Sequence, residues 1–160
     1  MSEQEREAGL AAQDALLTDG TASGSDYKAA VDRLEKCLEE GEITLVNRGW
    51  NPVDHRSMNL WYRNADIPED EVAARSDQCH TAHLGKVEQR YAQDHAPAMA
   101  AALLKYSRTC LSGQGIATAG DERNMPDLIR AVGPERENQA IECVEAGARK
   151  LYPKMPVAVR

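Results

Sequence analysis

The side chains in this sequence that could do chemistry are four cysteines and a few histidines and carboxylates near them. The cysteines are Cys37, Cys79, Cys110 and Cys143. Closed in pairs, they cross-link; left open, they are nucleophiles or metal ligands. Their spacing contains no C-x-x-C, so neither a zinc-knuckle pair nor a thioredoxin-type redox motif is present. Cys79-His80-Thr81-Ala82-His83 has some metal-ligand character, because Cys79 and His83 stand four apart on one helix face. A zinc site would need further ligands from other helices, and spacing flags none. His83 therefore reads as a satisfied core histidine and His80 as a surface one, with no metal site assigned. Asp54 and His55 are a candidate acid/base pair, but neighbours on an extended segment point apart. There is no G-x-S-x-G, H-E-x-x-H, Walker loop or dinucleotide fingerprint. No catalytic residue is assigned and no cofactor is implied.

The elements that must position these groups are mainly helical. Residues 1–25 read as an N-terminal helix, 3–18 with Leu10, Leu16 and Leu17 apolar, and a flexible Thr/Asp/Gly/Ser linker. Ser25 or Asp26 then caps a second helix with Tyr27, Ala30, Val31, Leu34, Cys37 and Leu38 on one face, ended by Gly41. Ile43–Val46 is β-branched, Arg48–Pro52 is turn chemistry, and Met58–Tyr62 returns, which predicts a β-hairpin over 42–50 with 57–63. Pro68 and the acids after it start a third helix that runs to Asp94, with Val72, Ser76, Cys79, His83, Val87 and Tyr91 in one stripe. A fourth helix starts near Pro97 with Met99, Leu103, Tyr106 and Cys110 inward, and Gly113-Gln114-Gly115 breaks it. Pro126 opens a short helix, and Pro134 opens the last one, with Ala140, Ile141, Val144, Ala148 and Leu151 inward. The expected fold is mainly α (α+β): five to six helices, one small hairpin, and a loose tail over 153–160. Residues 26–152 form a single stapled domain with halves 26–95 and 96–152.

Those halves resemble each other. Cys37-Leu38 is followed by Ile43 and Cys110-Leu111 by Ile116, each with glycine between, and each half then has a Pro-started helix carrying its second cysteine. This suggests an internal pseudo-repeat, by duplication or by coincidence. The repeat favours two disulfides, Cys37–Cys79 and Cys110–Cys143. Pairing the equivalent positions, Cys37–Cys110 and Cys79–Cys143, is the alternative, and four buried free thiols a further one.

Composition narrows the partners. The chain has 160 residues, a net charge of −7 and no phenylalanine. An acidic surface disfavours phosphate backbones and anionic membranes, so no nucleic-acid partner is expected. No apolar run approaches the roughly 20 residues of a transmembrane segment. The start, Met1-Ser2-Glu3-Gln4-Glu5-Arg6-Glu7, is charged and lacks a signal-like apolar stretch, so the chain reads as cytosolic or as a mature exported segment. Both tryptophans, Trp50 and Trp61, fall on the hairpin with Tyr62, and Asp54, His55 and Arg56 fall on its loop. These six are the candidate binding surface, since Trp, Tyr and Arg are common recognition anchors. The competing role for the aromatics is to cover the sheet as core.

Leu34–Gly41, then Gly49-Trp50-Asn51-Pro52, then a Pro-started helix with Cys79 and Tyr91, and the second unit from Cys110-Leu111 to Cys143, resemble small exported or lipid-anchored proteins of high-GC Gram-positive bacteria with paired cysteine helices. The likeness spans about residues 26–152. It implies a cell-envelope or extracellular location and disulfides, and carries over no catalytic residue. A lipid-attachment cysteine near the start, part of that pattern, is lacking here. The expected function is a non-catalytic exported binding or interaction module with a protein or small-molecule ligand. A cytosolic helical regulator or scaffold with reduced thiols is second. A small enzyme or metal-binding protein using His55, or Cys79 with His83, is third.

Overall fold

In the computed structural model, residues 1–155 are described. They form helices α1 (Glu3–Leu16), α2 (Gly24–Glu40), α3 (Glu69–His83), α4 (Gly85–Asp94), α5 (Ala101–Gly113), α6 (Met125–Val132) and α7 (Glu137–Leu151), with strands β1 (Thr44–Trp50) and β2 (Met58–Arg63) pairing as the hairpin. The protein is mainly helical, as expected. The tail read as loose from Pro153 begins with a turn through Met155, and 156–160 lie outside the described residues. The chain gathers into two compact units. Unit one holds 1–47 and 60–96; unit two holds 48–59 and the chain from Pro97 onward. The base of the hairpin thus counts with the first and its end with the second.

In unit one, α1 packs on α3 and α4, and α2 packs on the same two helices. Tyr27, Ala30, Leu34 and Leu38 of α2 are fully buried with Ala82, Leu84 and Val87. Helix α2 is capped by Ser23, two or three residues before the expected Ser25 or Asp26: Ser23 Oγ accepts from the Asp26 amide at 3.2 Å while the Asp26 carboxylate accepts from the Ser23 amide at 2.8 Å. This reciprocal box satisfies two amides that Ser25 or Asp26 alone would leave open. The leucines expected to anchor α1 are only half-buried, and its buried residues are Gly9 and Gln13.

The single helix expected to reach Asp94 breaks at Leu84, which gives seven α-helices among the described residues instead of five or six. A helix break frees backbone groups that need partners. Gln13, fully buried, supplies them from α1. Its Nε2 donates to the carbonyls of Thr81 (3.0 Å) and Ala82 (2.6 Å), and its Oε1 accepts from the amides of Lys86 (2.8 Å) and Val87 (3.4 Å). Gly9, one turn earlier, lets α1 approach: a Cβ there would stand 2.8 Å from the Ala82 carbonyl oxygen.

Unit two is built on α5 against α7, with α6 against α7. Leu103, Leu111, Leu128, Ala140, Cys143 and Val144 are fully buried, and Val53 from the hairpin loop joins the same cluster. Backbone bonds from Ala98 to Asp54 (2.9 Å) and from Ala100 to Pro52 (2.8 Å) hold that loop. Gly147 gives α5 and α7 their close approach, with Tyr106 and Leu103 side chains 2.7 and 2.8 Å from where its Cβ would be. Leu151, expected inward, is 40% exposed because it stands at the last residue of α7. Glu122 is buried, and it accepts from the Ala119 amide (2.6 Å) and Arg108 Nε (2.8 Å). Those bonds outweigh the burial that would raise it and hold its carboxyl below the usual range.

The repeat seen in the sequence has a local structural cause. After α2, the Ile43 amide donates to the Leu38 carbonyl (2.8 Å) and the Glu42 amide to Glu39 (3.0 Å). After α5, Ile116 donates to Leu111 (3.0 Å) and Gly115 to Ser112 (3.0 Å). Both are Schellman closures, in which the residue after the helix turns left-handed and the next one packs back on the helix. The left-handed residue is Glu42 (φ 59°) in one and Gly115 (φ 75°) in the other. Leu38, Ile43, Leu111 and Ile116 are all buried.

Candidate functional site

The cysteines are closed as Cys37–Cys79, with Cα atoms 5.8 Å apart, and Cys110–Cys143, with Cα atoms 5.7 Å apart. The first joins α2 to α3, the second α5 to α7. Cys79 in a disulfide has no thiolate to offer a metal. Among the described residues, no group of three or more His, Cys, Asp or Glu side chains is placed to hold a metal ion.

The two bonds have different surroundings. Cys37–Cys79 lies in the wall of a cleft of about 920 Å³ within unit one, formed by α1, α2 and α3. Ala8, Ala12, Leu38 and Ile43 supply apolar lining, and Arg33, Lys36, Arg75 and His83 bring cationic or basic groups to it. Arg33 Nη1 donates to the Ala12 carbonyl at 2.7 Å, which fixes its guanidinium between α1 and α2. Arg75 pairs with Glu71 and reaches the Gly41 carbonyl at 3.4 Å. In unit two the amide of Gln114 lies over the other disulfide, 3.4 Å from Cys143 Sγ and 3.7 Å from Cys110 Sγ.

The histidines exchange the roles expected of them. His83 is not a satisfied core residue: its Nδ1 is buried with no hydrogen-bond partner, in a ring that lies against Gly9. Burial, then the Arg33 charge, lowers its pKa, opposed by Glu40. His80 is half-buried and bonded to Glu88 at 3.1 Å, because the break at Leu84 turns α4 so that Glu88 meets it. Glu88 also accepts from the Tyr27 hydroxyl at 2.5 Å. Burial raises the Glu88 pKa, but the bonds from His80 and Tyr27 and the His80 charge bring it below the usual range. The bond to Glu88 raises His80 in turn, against its own burial. Tyr62 is pushed up to about 12 by burial and by the Glu88 charge. Such a cluster of shifted groups marks either a site or a structural ion-pair network. Here every short bond is internal to the packing of α2, α3 and α4.

The six hairpin residues do not gather in one unit. Trp50, Asp54, His55 and Arg56 belong to unit two, and Trp61 and Tyr62 to unit one. Trp61 is 44% exposed and Tyr62 half-buried. Trp50 and Arg56 are half-buried. His55 is exposed with φ 55°, and Asp54 Oδ1 accepts from the Arg56 amide at 3.0 Å rather than facing His55 as an acid/base partner. Sequence reading missed the cleft, whose walls come from three helices. One signal was visible: Arg33 stands four residues before Cys37, and Arg75 four residues before Cys79.

Among the described residues, no helix is long and apolar enough to cross a membrane. In comparisons with known proteins, no family model, no curated protein and no solved structure matches this chain.

Proposed function

We propose that this chain is an exported, non-catalytic binding module of the bacterial cell envelope, and that the cleft of unit one receives its ligand. The observation that carries this reading is the cleft itself. It has an apolar lining with a few basic side chains converging on it, the usual make-up of a small-ligand or peptide site. Two closed disulfides support export, since such bonds persist in oxidising compartments and are rare in the cytosol. The non-catalytic part rests on the bonding of the titratable groups: His80 and Glu88 spend their hydrogen bonds on each other and on Tyr27. Trp61, 44% exposed, favours the hairpin as a second contact surface.

The test is a fragment screen by NMR on ¹⁵N-labelled, oxidised protein, using small aromatic carboxylates and amides as probes. Amide shifts at Gly9, Gly41 and Cys79 are expected. Shifts confined to Trp61 and its neighbours would move the site to the hairpin, and none at either place would overturn the binding reading. Alkylating protein taken from its own host, denatured without reductant, checks the compartment: no adducts are expected, and four would favour a cytosolic regulator.

A further inference from the structure

We propose that Cys37–Cys79 is a reactive bond, a disulfide that exchanges with thiols entering the unit-one cleft, whereas Cys110–Cys143 is a cross-link only. This stands apart from the binding reading, because it needs access and local charge but no ligand. Two observations carry it. Cys37–Cys79 lies in the cleft wall, while Gln114 lies over its counterpart. Both bonds pair a partly exposed sulfur with a buried one, Cys37 with Cys79 and Cys110 with Cys143, so at the cleft an attacking thiolate meets Cys37 and Cys79 is the leaving group.

The second observation is charge. On a helix, residues four apart share a face. Around Cys37 and Cys79 those positions are Arg33, Gly41, Arg75 and His83; around Cys110 and Cys143 they are Tyr106, Gln114, Gln139 and Gly147. Lys36 adds a further ammonium at the cleft. The acids there are Glu5, Glu40 and Glu71. Glu71 pairs with Arg75 and offsets it, and Glu5 is held by the Ser2 amide and hydroxyl at 2.6 and 2.9 Å. Glu40 stands three residues after Cys37 on the same face, while His83 has its pKa lowered; Arg33 and Lys36 are the cations left to favour a thiolate there. Neighbouring cations stabilise thiolates, and both the attacking and the departing sulfur in exchange are thiolates.

The step balances with thiols alone. A thiolate attacks Cys37 Sγ, the sulfur–sulfur bond breaks, and its electron pair leaves on Cys79 Sγ. A second thiolate attacks the incoming sulfur of the mixed disulfide and releases Cys37 as a thiolate. Two external thiols are oxidised to one disulfide and the protein gains two thiols. The co-reactants are small thiols or a dithiol.

The experiment is timed reduction of the native, oxidised chain near pH 7 with glutathione and separately with dithiothreitol. Freed thiols are trapped by alkylation and located by peptide mass. Cys37 and Cys79 are expected to acquire label at least tenfold faster than Cys110 and Cys143, without loss of helical circular dichroism. Equal rates, or faster labelling of Cys110 and Cys143, would overturn the proposal. Arg75→Gln separates charge from access: its unit-one rate should fall severalfold, and Lys36→Gln, on an exposed side chain, provides a variant that leaves packing untouched. Unchanged rates in both would remove the electrostatic argument and the proposal with it.

Discussion

Unit one and unit two close a helix in the same way and then hold themselves together differently. Both follow Cys-Leu with a left-handed residue and a buried isoleucine, and both tie that helix to a later one by a disulfide. The closed loops differ little, with separations of 42 and 33 residues, so chain entropy separates the two bonds by only ~0.2 kcal/mol. The contrast is in the core. Unit two buries a contiguous cluster of leucine, valine, isoleucine and methionine. Unit one inserts a polar side chain, Gln13, into the gap of a broken helix. A short motif can therefore be reused in two places whose wider packing solves different problems.

That contrast can be broken most sharply at Gln13. Gln13→Leu would leave two carbonyls and two amides without partners. Two of those groups, the Ala82 carbonyl and the Val87 amide, are fully buried, so the variant should destabilise unit one by about 3 kcal/mol, given roughly 1–3 kcal/mol for each buried group left unsatisfied. Each unit holds one tryptophan, Trp61 in unit one and Trp50 in unit two, so urea titrations of single-tryptophan variants read the units separately. A similar loss from the Trp50 signal would sink the idea that the Gln13 contacts belong to unit one.

The close helix approaches come next. Gly9→Ala sets a methyl against a backbone carbonyl, whereas Gly147→Ala meets only the side chains of Tyr106 and Leu103. The first should cost about 2 kcal/mol and the second about 1, since side chains can yield where backbone cannot. The reverse order in denaturant midpoints would contradict this. At the helix closures, Glu42→Gly should stabilise unit one by about 1 kcal/mol, and Gly115→Ala should destabilise unit two by a similar amount, because only glycine adopts the left-handed turn without cost. Thermal melts of both variants decide it.

The smallest effect is a pH dependence confined to unit one. His80 has its pKa raised in the folded state, so its contribution is complete below 6.5, its ordinary value, and is lost as pH rises through the folded value. Glu88 has its pKa lowered, so its contribution is present above 4.5 and is lost as pH falls through the folded value. The pair should favour folding most between 4.5 and 6.5. His80→Gln should flatten the alkaline decline seen by Trp61, and a slope identical to the parent would discount the pair.

Much of this fold was legible because it is written in local patterns. The stripe of α2, the proline start of α3 and the two Cys-Leu…Ile endings are contiguous signals, whereas Pro134, expected to open the last helix, opens a 3-10 turn, Pro134–Arg136, and α7 begins after it at Glu137. The break at Leu84 was hidden because the apolar stripe continues through Val87 and Tyr91, and the side chain that satisfies its freed backbone groups sits some seventy residues earlier. Gln13 was hidden because a glutamine on a helix reads as surface, and its partners are backbone atoms that no side-chain pattern reports. The site was less legible still. The hairpin drew attention by its aromatics, yet the cleft is made of alanines, arginines and a disulfide that only packing brings together.

The hairpin loop has a consequence for the order of assembly. Residues 48–59 lie between the two stretches of unit one in sequence but count with unit two, where Val53 is part of the core. As the chain emerges from its N-terminus, every residue of unit one is present once Ala96 has appeared. Val53 by then is already out, and the α5, α6 and α7 residues it packs with are not. The chain passes through a stage in which the first unit can close while holding out a piece of the second, an apolar segment whose cover is still being made.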